Sequence, residues 1–117
     1  MLDLNRCEII DWDDPEVDPD PETNNLLHCQ QAGHLGAQAE LIVYESLFYG
    51  PWGEIKFKVQ TAQYSIVGLA LSSLWLLLLK DSHKRPDWLR PLSGWPAERA
   101  EIREWEQATG EKWKGKR

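Results

Sequence analysis

A chain of 117 residues with 42% apolar content and seven tryptophans is sized for one packed domain and leaves almost nothing for a second core. Its net charge of −6 excludes a uniformly basic nucleic-acid binder, and two cysteines exclude a disulfide framework. Cys7 and Cys29 also lack the paired spacing with histidine that a zinc site needs, so they read as reduced, buried thiols. The first residues show no basic region followed by an apolar segment and a cleavage site, so a cytoplasmic location is the expectation.

In chain order, "NRCEIIDW" (5–12) reads as a short strand. Residues 11–22, "DWDDPEVDPDPE", hold seven acids and no lysine or arginine, and removing those charges takes the net from −6 to +1. Pro15, Pro19 and Pro21 remove backbone donors there, so the segment is expected to be a solvated loop. The alternatives are a cation site and an acidic arm laid over a basic surface. An EF-hand is not among them, because the turn glycine and the later glutamate are missing.

A helix is expected from about Glu22, with Asn24 as cap, Leu26 and Leu27 on neighbouring turns and Gly33 as its stop. A second helix runs over 36–48, and the spacing of Ala37, Leu41, Tyr44 and Phe48 marks the face expected to pack inward. "EIKFKVQ" (54–60) then alternates strictly, which predicts a strand with Ile55, Phe57 and Val59 inside and one wet face.

No charged residue falls between Val59 and Leu79, a length near the roughly 20 apolar residues of a membrane helix. Gln60, Thr61, Gln63, Ser72 and Ser73 interrupt it, however, and no basic cluster anchors its start. Two core strands, 64–69 and 74–79, joined at "ALSS" are therefore predicted, and a membrane partner is not. The closing element, "SGWPAERAEIREWEQATG", has Pro96 suited to a first helical turn, Glu98 and Glu101 near its positive end and Gly110 at its stop. Ile102 and Trp105 are its expected buried contacts. The chain as a whole, 1–117, is read as one α+β domain with a basic tail at 111–117. Its sheet is small and antiparallel, of about four or five strands, with two N-terminal helices and one C-terminal helix.

Between the last strands, "KDSHKRPDWLRP" gathers Lys80, His83, Lys84, Arg85 and Arg90 beside Trp88. Cations for phosphate, an imidazole that titrates near neutrality and a ring for base stacking are the parts of a nucleic-acid site. A solvated loop with no specific role is the alternative on spacing alone.

The order of elements, together with "LRPLSGWPAERAEIREWE", resembles the BrnT-type toxins, a branch of the RelE-like ribonuclease folds. The matching positions are Arg90, Ser93, Gly94, Ala97, Glu101 and Trp105, the last where the family usually has tyrosine. Upstream, "WDD" at 12–14 and "NLLHCQQAG" at 25–33 are similar to the family's tryptophan–aspartate pair and its asparagine, histidine and glycine helix signature. The resemblance implies metal-independent RNA cleavage without a cofactor, in which the ribose 2′-hydroxyl attacks the neighbouring phosphate. It also implies a small antitoxin-like protein as partner. The expected catalytic set is His83 for proton transfer with Arg90 and Arg85 on the phosphate, and Lys80, Lys84, Trp88 and Ser93 as RNA contacts. His28 is a spare imidazole, more often structural at such a helix position, and His34 gives no signal.

Trp95 stands where the family's second closing arginine would be, and the chain is acidic where such toxins tend to be basic. The alternative is accordingly a non-catalytic protein-interaction module of the same fold, using an exposed tryptophan-rich surface with Trp113 foremost. A metal hydrolase on Asp11, Asp13 and Asp14 fits less well, since nothing fixes a histidine opposite them. Dimerisation through an edge strand is left open.

Overall fold

The computed structural model describes residues 9–31, 34–49, 51–84 and 88–114. The order is β1 (Ile9–Ile10), α1 (Asn25–Gln31), a 3-10 turn (Gly36–Gln38), α2 (Ala39–Phe48), β2 (Lys56–Lys58), β3 (Gln63–Ala70), β4 (Ser73–Asp81), β5 (Trp88–Pro96) and α3 (Arg99–Thr109). The architecture is the expected α+β one. Strands β2 to β5 form an antiparallel meander, and β1 joins the outer side of β5 in parallel, giving the order β1-β5-β4-β3-β2.

The long uncharged run forms β3 and β4, and no helix among the described residues is long and apolar enough to cross a membrane. Both strands are apolar on two faces because both faces are covered. Tyr64, Ile66, Leu77 and Leu79 pack under the N-terminal helices with Cys29, Leu35, Ile42, Val43, Leu47 and Leu89. Val67 and Leu74 face Trp105 of α3, with Leu69, Leu76, Ile102 and Trp113 packed around them. Leu71 and Ser72 turn the hairpin with φ of 50° and 61°, values that L-residues adopt at a cost, and Glu45 of α2 accepts a hydrogen bond from the Leu71 N–H at 3.1 Å.

Two helix ends follow the sequence signals, whereas Pro96, expected in the first turn of the last helix, instead ends β5, and α3 starts at Arg99 after Glu98. Asn24 accepts from the Leu27 N–H at 3.0 Å as the cap of α1, while Gly110 closes α3 with φ of 75°. The expected stop at Gly33 lies outside the described residues.

Three packing expectations are corrected. On α2 the inward residues are Ala39, Ile42, Val43, Ser46 and Leu47, so Leu41 and Tyr44 are exposed and Phe48 is only half-buried. Helix α2 is apolar nearly all round, and two sets of residues share the three-to-four spacing. Contact between Ser46 and Gly68 of β3, where a Cβ on Gly68 would come 2.7 Å from Ser46, selects the set that faces in. Strand β2 is only three residues long: Val59 lies past its end in the turn to β3 and is exposed, and Phe57, on this edge strand, is exposed beyond its ring contact with Tyr64. No tryptophan is exposed: Trp105 is buried and the other six are half-buried, with Trp113 set edge-on to Trp105 at 6.2 Å between ring centroids. Trp12, Trp52 and Trp75 pack against the core under the N-terminal helices, and Trp105 and Trp113 pack against Val67 and Leu74.

Candidate functional site

The candidate site forms where β1 meets β5. Ile9 and Ile10 lie beside Trp88 and Leu89, and the ladder continues with the Asp11 N–H donating to the Leu89 carbonyl at 2.7 Å. That register carries the start of the acidic segment onto Arg90, one of the two arginines predicted to grip phosphate.

Arg90 donates from both terminal nitrogens to the two oxygens of Asp13, through Nη1 to Oδ1 at 2.8 Å and through Nη2 to Oδ2. Its Nη1 also lies 3.7 Å from Asp11 Oδ2. Asp11 is almost wholly enclosed, with a side chain 1% exposed, and it accepts from Ser82 Oγ at 2.7 Å and from Lys84 Nζ at 2.9 Å. The same Lys84 Nζ sits 5.6 Å above the centre of the Trp88 ring.

Asn25, the first residue of α1, ties these groups together. Its Oδ1 accepts from the Asp13 N–H at 2.8 Å and its own N–H donates to Asp13 Oδ2 at 3.0 Å. Its Nδ2 donates to the carbonyls of Asp11 and Pro91 at 2.8 and 3.0 Å. Buried Asn25 thus joins the acidic segment, α1 and β5 by four hydrogen bonds, three from its side-chain amide and one from its backbone N–H.

The electrostatics follow the contacts. Burial works against charge on Asp11, but hydrogen bonds from Lys84 and Ser82 and the Lys84 and Arg90 charges outweigh it and hold the carboxyl below its ordinary range. For Asp13 the Arg90 hydrogen bonds lead; burial opposes them, the Asn25 N–H adds to them, and the outcome is again downward. The Arg90 guanidinium is raised, first by its bonds to Asp13. Burial pushes the Cys29 thiol up to about 11, with Arg90 pulling weakly the other way.

Of the predicted catalytic residues, Arg90 is held by the carboxylates, His83 is exposed between Ser82 and Lys84, and Arg85 lies outside the described residues. Among the RNA contacts, Lys84 and Trp88 join the cluster, while Lys80 is exposed and opposite Arg90 in the ladder. Ser93 is elsewhere, in an open groove of about 710 Å³ with His34, Trp95, Pro96, Ala97 and Glu98. His28 is half-buried on α1. The acidic segment is solvated only in part: Asp14 and Asp20 are exposed, whereas Asp11 and Asp13 form an acidic arm over Lys84 and Arg90, one of the alternatives to a solvated loop. Among the described residues no group of three or more His, Cys, Asp or Glu side chains could hold a metal ion.

The sequence reading missed the role of Asp11 and Asp13 as partners of Lys84 and Arg90, and missed Asn25 and Ser82 as their supports. The available signal was the segregation of seven acids from the basic stretch. In comparisons with known proteins, no family model, no curated protein and no solved structure matches this chain.

Proposed function

We propose that this chain is a non-catalytic binding module that recognises a protein partner, on a sheet-and-helix frame whose motif residues resemble those of the BrnT-type toxins. The observation that carries the reading is the two-pronged bond between Arg90 and Asp13. A phosphodiester would have to displace a carboxylate already aligned by Asn25, and Lys84 is likewise engaged by Asp11. Two carboxylates opposite two cations leave no surplus positive charge to attract a polyanion. Trp95, in place of a second arginine, supplies none either.

A second reading, an RNA-binding or RNA-cleaving toxin relative, is favoured by Lys80, His83 and Lys84 at one end of β4, all exposed. One assay separates the two: single-stranded RNA incubated with purified protein in EDTA, with His83→Ala and Arg90→Lys beside it. Lysine at position 90 keeps a cation against Asp13, so lost activity would not merely report unfolding. The binding-module reading expects no cutting and no steeply salt-dependent RNA affinity. Metal-independent cutting abolished by His83→Ala would replace it with the ribonuclease reading.

A further inference from the structure

The outward side of α2 is an apolar stripe between two acids. Leu41, Tyr44 and Phe48 follow one another at helical spacing, and Tyr49 continues the line past the helix end. Leu41, Tyr44 and Tyr49 are 43%, 47% and 67% exposed. Glu40 and Glu45 border the stripe on either side, and α2 carries no lysine or arginine.

The stripe is held ready by what lies beneath it. Ile42, Val43 and Leu47 are buried in the core, Ser46 is pressed on Gly68 and Glu45 grips the β3–β4 turn, so α2 cannot roll to hide the aromatic side. The rings also order one another. Tyr44 lies 5.0 Å from Phe48 and 5.6 Å from Tyr49 between centroids, the latter edge to face. Large rigid aromatics that lose little freedom on contact are the residue types that dominate binding energy at interfaces.

We infer that this face of α2 docks a basic amphipathic helix of a protein partner, whose apolar stripe covers Leu41, Tyr44 and Phe48 while flanking lysines or arginines meet Glu40 and Glu45. The inference rests on the binding-module reading and adds the surface and the chemistry of the partner. Charge selects the occupant. A second copy presenting the same helix would set glutamates against glutamates, and like charges across an interface weigh against pairing. The free edge at β2 is no better for a second copy, because antiparallel pairing of Lys56–Lys58 with itself opposes lysines.

The test places a photoreactive benzoylphenylalanine at position 41 of the full chain in its source cells, with position 107 on α3 as the comparison site. The captured protein is identified, purified and titrated against the unmodified chain. Expected is an adduct from position 41 alone, to a helix with lysine or arginine beside an apolar stripe. Its affinity should fall about 30-fold with Tyr44→Ala, the scale of an interface hot spot. Glu40→Lys, at an exposed position that the fold does not use, should weaken binding most at low salt. An adduct to α2 of a second copy, to an acidic segment or to nothing overturns the proposal. Protein adducts from position 107 alone remove this face and leave the module reading standing, whereas no protein adduct together with RNA cutting in EDTA removes both.

Discussion

Arg90 and Asp13, 77 residues apart in sequence, face each other as a guanidinium and a carboxylate joined through both of their ends. The arginine side chain is 18% exposed and the aspartate 23%, so the pair is shielded enough for each partner to depend on the other. The fork of a guanidinium matches a carboxylate and a phosphate equally well, and here the protein's own acid holds it.

Asp13→Asn should therefore cost about 3 kcal/mol of stability, the scale on which breaking a shielded pair leaves a charge uncompensated. Arg90→Gln should cost a similar amount, and the double variant clearly less than both together, because the two changes remove one interaction. Urea unfolding of the four proteins measures this. Additive losses would show that the pair contributes little beyond its separate members.

Acid should loosen the fold through the same residues. Folded Asp11 and Asp13 both titrate below the ordinary carboxylate range, so the unfolded chain takes up their protons first as pH falls. Their contribution is full above about pH 5, clear of the ordinary carboxylate range, and is lost as pH drops through their lowered folded values. Urea midpoints should hold steady from neutrality to about pH 5 and then fall, less steeply in Asp13→Asn. A flat profile down to pH 2.5 would contradict this.

Gly68→Ala should destabilise by about 2 kcal/mol, an overpacking cost. The new Cβ would lie 2.7 Å from both the Cβ and the carbonyl oxygen of Ser46, and a helix backbone cannot yield as a side chain can. Ser46→Ala should be neutral or stabilising by up to about 1 kcal/mol, since its buried hydroxyl has no hydrogen-bond partner among the described residues. Thermal midpoints of the two variants should move in opposite directions.

The Cys29 thiol, buried with its pKa pushed up to about 11, should resist alkylation. In a Cys7→Ser background, iodoacetamide at pH 8 should label the folded protein slowly and the urea-unfolded protein fast. Equal rates would place the thiol within reach of solvent.

How far the fold could be read depends on how local each signal is. The cap at Asn24, the stop at Gly110 and the turn between β3 and β4 lie within a few residues of what they control, and all three are where the sequence places them. The inward face of α2 is different. Leu41 and Tyr44 have the spacing and the apolarity of core residues, and only the fit of Ser46 on Gly68 shows which side turns in. Alternation in residues 54–60 is real, but the ladder pairs only Lys56–Lys58, so Val59 falls in the turn and Phe57, on the edge strand, stays exposed. At the candidate site Arg90 is legible as a cation; that Asp13 answers it depends on parallel pairing of β1 with β5, which no short-range pattern encodes.

The pairing of the first strand with the last has a consequence for how the chain is made. Arg90 and Lys84, which hold the acidic segment, are synthesised more than 70 residues after it. In the interval β3 and β4 emerge as a hairpin of neighbouring residues, which closes at small entropic cost. Asp11 and Asp13 must wait as free carboxylates until β5 is complete. The acidic segment is thus locked only once β5 has paired with β1, and the hairpin face that packs on α3 is covered later still. Pulse-labelled hydrogen exchange during refolding should accordingly protect the β3–β4 amides before those of Asp11 and Asp13.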